Sequence, residues 1–140
     1  MIDMTSIPKW RYSLLQNNEL MLRRLTGLNR RKFEALHPYF ENTLNDYFNK
    51  FTIEGTPRNR RPFVHGNAIF TDTRDSLLFI LAYVNGNVRQ VQLAEFFGID
   101  QPKVSKYIKI LRPILSQAIK TNPNALSKYK KEILFNKINK

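Results

Sequence analysis

Apolar residues recur at three- and four-residue steps along most of the chain, and glycines, prolines or asparagines separate the runs. That spacing gathers them on one face of a helix, so the pattern predicts helices rather than strands. Residues 1–17 are the exception. They hold Pro8, Trp10 and Tyr12 with little periodicity, and read as an arm that lays Trp10 or Tyr12 onto the body. Leu20, Met21, Leu22 and Leu25 then form a short helix, which Asn18 can cap and Gly27 can end. Asn29 can cap a longer one carrying Phe33, Leu36, Phe40, Leu44, Tyr47, Phe48 and Phe51, with Pro38 expected to kink or split it. Gly55, Pro57, Pro62 and Gly66 break the pattern into a loop. Thr71 or Asp72 can open the next helix, in which Leu77, Leu78, Ile80, Leu81, Tyr83 and Val84 are apolar on most sides. Such a helix is expected to be the buried scaffold of the fold. After Asn122-Pro123-Asn124 a last helix is expected from near Ala125, with Leu126, Tyr129, Ile133 and Leu134 on one side and lysines around it. Its pattern leaves open whether it packs on the body, pairs with a partner or lies along phosphates.

The stretch QVQLAEFFGIDQPKVSKYIK, residues 90–109, carries the most specific arrangement. Leu93 and Phe97 lie four apart on one helix face, and Ala94 leaves room for a second helix to approach. Gly98 falls where a tight turn needs a positive φ. Ile99 plugs the corner, Asp100 can cap the next helix, and Pro102 sits in a first turn where no helical hydrogen bond is lost. Val104, Tyr107 and Ile108 then face inward, while Gln101, Lys103, Ser105, Lys106 and Lys109 face out. Two ordinary packed helices joined by a glycine share part of this pattern. They do not require an outer face with three lysines and no acid. A helix-turn-helix that reads DNA does: glutamine can bond an adenine edge, lysine guanine or phosphate, and serine either. The second helix is expected to run into the region of residues 111–119, with Pro113 bending or ending it.

The fold expected is all-α: a helical bundle containing a helix-turn-helix of the winged-helix or homeodomain-like kind, with a basic C-terminal helix. Its parts are an arm (residues 1–17), a helical segment (18–51), a basic linker loop (52–70), the DNA-binding unit (71–120) and the last helix (121–140).

Charge strengthens the nucleic-acid reading. The 140 residues carry a net +12, which calls for a polyanionic partner. From Gln101 onward there are ten lysines and arginines and one acid, Glu132, so +9 of that charge begins at the second motif helix. The roles that follow place Gln101, Lys103, Ser105 and Lys106 on bases or adjacent phosphates, and Lys109, Arg112 and Arg89 on phosphates. Arg58, Arg60 and Arg61, in TPRNRRPF, either reach the flanking minor groove or backbone or belong to a solvated loop.

Other chemistry is thin. The absence of cysteine removes disulfides, a thiolate zinc site and a cysteine nucleophile. His37 and His65 are the only histidines, and nothing near His37 completes a metal site, so it is expected to be structural. No nucleophile–base pair or phosphate loop is evident. The expectation is a chain with no catalytic residues, metal or cofactor. No apolar run approaches a membrane span and the start lacks a signal-peptide core, so a cytoplasmic, nucleoid-associated protein without a membrane partner is expected.

The order of motifs resembles a known family, the N-terminal helix-turn-helix domain of DDE-type insertion-sequence transposases. The resemblance rests on LTGLNRRKFEAL (25–36), RNRRPF (58–63) and TDTRDSLLFILAYVNGNVRQVQLAEFFGIDQPKVSKYIKILRPIL (71–115), and covers roughly residues 20–115. It implies sequence-specific binding to double-stranded DNA at terminal inverted repeats. In the family a catalytic domain follows, with carboxylates holding two metal ions. Here only Glu132 is acidic after the second motif helix, so no catalysis is expected of this chain alone. The protein partners this implies are a second copy, as a homodimer, or a separately made catalytic subunit. The alternatives are a stand-alone transcriptional regulator of transposase origin and an interaction subunit for a catalytic chain.

Overall fold

Four side chains open four of the helices. Asn18 accepts from the Met21 amide, Asn29 from Lys32, Asp72 from Arg74 and Ser127 from Lys130, each supplying an acceptor that a helix start otherwise lacks. The computed structural model describes residues 10–52, 55–57, 70, 72–86, 88–121 and 126–139. Over these the chain forms α1 (Tyr12–Leu15), α2 (Glu19–Thr26), α3 (Arg30–Lys50), α4 (Thr73–Val84), α5 (Gln90–Phe97), α6 (Gln101–Thr121) and α7 (Lys128–Ile138). An isolated Phe51–Pro57 bridge is the only strand-type pairing among the described residues. The all-α class is therefore as expected. No helix among the described residues is long and apolar enough to cross a membrane.

α4 is the centre. Six consecutive side chains, Leu77 to Ala82, are wholly buried, as its apolar circumference demands. α3 and α6, each 21 residues, pack along one another and both touch α4; α5 and α7 pack against α4 and α6. Phe33, Leu36, Phe40, Leu44 and Phe48 supply the α3 face, so that aromatic stripe is core. Buried residues from all seven described helices, Tyr12 to Ile138, join a single hydrophobic cluster.

Polar links fix the helices in register. Arg74 makes two bonds to Glu34, Nε to Oε1 at 2.9 Å and a terminal nitrogen to Oε2 at 3.2 Å, and this cation holds the Glu34 carboxyl below its ordinary range. His37 is buried, and its Nε2 lies 2.7 Å from Thr73 Oγ1, whose proton goes to Glu41. The imidazole therefore donates to Thr73. Burial lowers its pKa, so it stays neutral at pH 7 and acts as a strut between α3 and α4.

The arm contributes more than expected. Trp10 stacks on Phe96 at 4.1 Å and its amide donates to the Phe96 carbonyl. Tyr12 begins the short helix α1, which the weak periodicity did not predict, and stacks on Phe33 at 4.6 Å. Its amide donates to the buried Asp75 carboxylate at 2.7 Å. Burial pushes the Asp75 pKa up, while that bond and Arg11 pull it down.

Several expectations need correction. Pro38 and Pro113 neither split nor end their helices. A proline removes one N–H and crowds the carbonyl four residues back. Both prolines are exposed, where water can satisfy the freed carbonyls of Glu34 and Lys109. The flanks are held by buried Leu36 and Phe40 in one case and by Leu111, Ile114 and Leu115 in the other. Tyr129, expected on the packed side of the last helix, is exposed, and so are Leu20 and Met21 of α2. The α2 face is set instead by Leu22, Leu25 and Thr26, and the α7 face by Leu134 and Ile138, which place those three side chains on the outer sides. The last helix starts at Lys128 rather than near Ala125, because Ser127 supplies the cap.

Candidate nucleic-acid interface

The outer surface of α5 and the start of α6 is built from the turn between them. Gly98 has φ 69° and its amide donates to the Ala94 carbonyl, closing α5 in the left-handed conformation that glycine takes without steric cost. Half-buried Ile99 also donates to the Ala94 carbonyl, at 3.0 Å. The Asp100 carbonyl accepts the first α6 bond, from the Val104 amide. At the other end of α5 the Arg89 amide donates to Gln92 Oε1 at 3.0 Å.

Docking of the pair on α4 is aromatic. Phe79 of α4 meets Phe97 of α5 edge-on at 5.3 Å and Tyr107 of α6 at 6.5 Å, and Phe70 lies against all three. Leu93, Val104 and Ile108 are buried beside them. With that side of α6 fixed inward, 3.6-residue periodicity turns the opposite side out.

The turned-out residues are those expected. Gln101, Lys103, Ser105, Lys106 and Lys109 are all exposed. Gln101, Ser105 and Lys109 succeed one another at four-residue steps, and Lys103, Lys106 and Lys109 at three. The five therefore form one continuous arc over the first turns of α6. Arg89 is exposed at the far end of α5, which at eight residues is about 12 Å long. Arg112 stands apart: it is half-buried and donates to the Ile138 carbonyl in the last turn of α7, so it ties α6 to α7 in the folded chain. Arg58, Arg60 and Arg61, like Thr71, lie outside the described residues.

One feature of this surface is absent from the sequence pattern. Lys106 and Lys109 border a groove of about 530 Å³ lined also by Thr43, Tyr47, Gly55, Ile110, Pro113 and Ile114. Tyr47, expected on the apolar face of its helix, is half-buried and packs against the hydrophobic cluster at the edge of this groove. No group of three or more His, Asp or Glu among the described residues is arranged to hold a metal ion. Comparison of the chain with protein-family models, curated proteins and solved structures finds no match.

Proposed function

We propose that α5, the Gly98 turn and α6 act as a helix-turn-helix that binds double-stranded DNA in a sequence-specific manner, with the start of α6 in the major groove. The observation that carries the reading is the five-residue arc. It combines hydrogen-bonding and cationic side chains without an acid, on the exposed side of a helix whose other side is locked into the core. Gln101, Lys103, Ser105 and Lys106 contact base edges or adjacent phosphates, and Lys109 and Arg89 hold the backbone. Arg58, Arg60 and Arg61 are assigned to the flanking minor groove or backbone by their charge. The order of motifs along the chain supports a DNA-recognition role in a transposition system, at terminal inverted repeats, with strand chemistry supplied by a separate catalytic subunit.

The two kinds of contact separate by mutation. Gln101→Ala is expected to lose about 1–3 kcal/mol on the preferred site and to relax preference at one base pair. Lys109→Ala should weaken preferred and unrelated duplexes by the same factor. Fluorescence anisotropy on both duplexes distinguishes them. Equal losses on both duplexes for Gln101→Ala would remove that residue from base readout.

A further inference from the structure

The groove beside the arc joins charge to an apolar surface. On α6, Lys106, Ile110 and Ile114 follow one another at four-residue steps, and so do Lys109 and Pro113. Steps of four fall on one side of a helix, so the two rows run next to each other along α6. Each row begins on a lysine and continues into apolar residues. The floor of the groove is therefore cationic at one end and apolar beyond it. α3 supplies the facing wall through Thr43 and Tyr47, again four apart. None of the described residues lining the groove is acidic.

These features fit one kind of occupant. The volume of about 530 Å³ lies within the range of small-molecule sites, roughly 300–1,000 Å³. Such sites combine an apolar lining with a few placed polar groups. Ile110 and Ile114 are buried and Tyr47 is half-buried, so an apolar body would meet walls already fixed in the core. The polar groups are the Lys106 and Lys109 ammoniums, one turn apart, and Tyr47 Oη. That hydroxyl donates to the Thr52 carbonyl at 3.5 Å, the long limit of a hydrogen bond, and so retains capacity for a better partner. The Thr43 hydroxyl is already engaged, donating to the Tyr39 carbonyl at 2.9 Å. A carboxylate over the two ammoniums would make charge-assisted bonds while its apolar body covers Ile110 and Ile114. A DNA phosphate would use the lysines alone and leave the apolar surface beyond them without a role.

We infer that this groove binds a small apolar carboxylate, aryl or alkyl, and that this ligand and DNA exclude one another. The carboxylate sits on Lys106 and Lys109, and the apolar body lies between α3 and α6. Binding of the acid does not depend on the helix-turn-helix reading. The exclusion rests on it, because that reading assigns the same two lysines to base edges or phosphates. Each ligand then lowers the affinity for the other by the same factor.

The test titrates the full chain with naphthylacetate and with naphthylacetamide by calorimetry, then measures duplex anisotropy in saturating naphthylacetate at constant ionic strength. The acid should bind with a Kd below about 1 mM, and the uncharged amide about tenfold or more weakly. Thr43→Trp, which places a bulky ring in the groove, should abolish acid binding and leave duplex binding near wild type but insensitive to the acid. Lys106→Gln/Lys109→Gln, at exposed positions, should bind the acid no better than the amide. Lys120→Gln/Lys128→Gln, exposed and outside the lining, removes the same charge and should match wild type for the acid. No acid binding to the wild type, equal affinity for acid and amide, or undiminished acid binding in either groove variant would overturn the site. An acid that binds there without weakening the duplex would overturn the exclusion. If the wild type binds no duplex at all, the helix-turn-helix reading fails and the exclusion with it, while the acid titrations still decide the groove.

Discussion

Replacing Phe79 with alanine should cost the folded protein about 3–5 kcal/mol. Phe79 has no exposed surface and stands where α4, α5 and α6 meet, with Phe70, Phe97 and Tyr107 around its ring. The loss has two parts. Removal of the ring forfeits its transfer free energy and leaves a cavity that three helices can close only by moving. Each edge-to-face contact adds about 0.5–1.5 kcal/mol beyond the buried area. For a domain of this size the melting temperature should drop by roughly 10–20 °C, measured by circular dichroism with a urea titration to obtain the free energy. DNA affinity of the still-folded fraction should also suffer, because the same ring fixes which side of α6 faces out. A cost below about 1 kcal/mol would mean that the three helices are not held together at this point.

Binding to duplex DNA should weaken by roughly 10³–10⁵-fold between about 50 and 200 mM salt. That range corresponds to about six to ten neutralised phosphates. The candidates are Lys103, Lys106 and Lys109 on α6, Arg89 at the start of α5, and Arg58, Arg60 and Arg61. Internal pairing depletes the acids that could oppose them: Glu34 and Asp72 pair with Arg74, and Asp75 with Arg11. A plot of log affinity against log salt measures the number of contacts directly. A slope near zero would remove phosphate contacts from the account, and with them the meaning assigned to the net charge of +12.

Local chemistry made most of the helices legible in the sequence. The caps at Asn18, Asn29 and Asp72 and the positive φ values at Gly27 and Gly98 follow from what each residue type does to its own backbone. The uniformly apolar α4 could be placed at the centre for a similar reason: only burial on all sides suits it. What was not legible depends on partners distant in sequence. Tyr12 adopts a helical turn because Asp75, 63 residues away, takes its amide and Phe33 takes its ring. Helices continue past Pro38 and Pro113 because packing between α3 and α6 outweighs a local penalty of about 3 kcal/mol. Likewise the five outward residues of α6 were readable from period alone, but the tie from Arg112 to Ile138 was not, since no pattern within α6 points to α7.

Selection of bound duplexes from a random pool at about 150 mM salt, followed by sequencing, tests the central claim most directly, because phosphate contacts alone enrich nothing. The account predicts an enriched motif of a few base pairs, singly or as an inverted pair, whose definition blurs at one position with Gln101→Ala. Weak binding of all sequences without enrichment would contradict it, and would leave the arc on α6 as a charged surface rather than a reader of DNA.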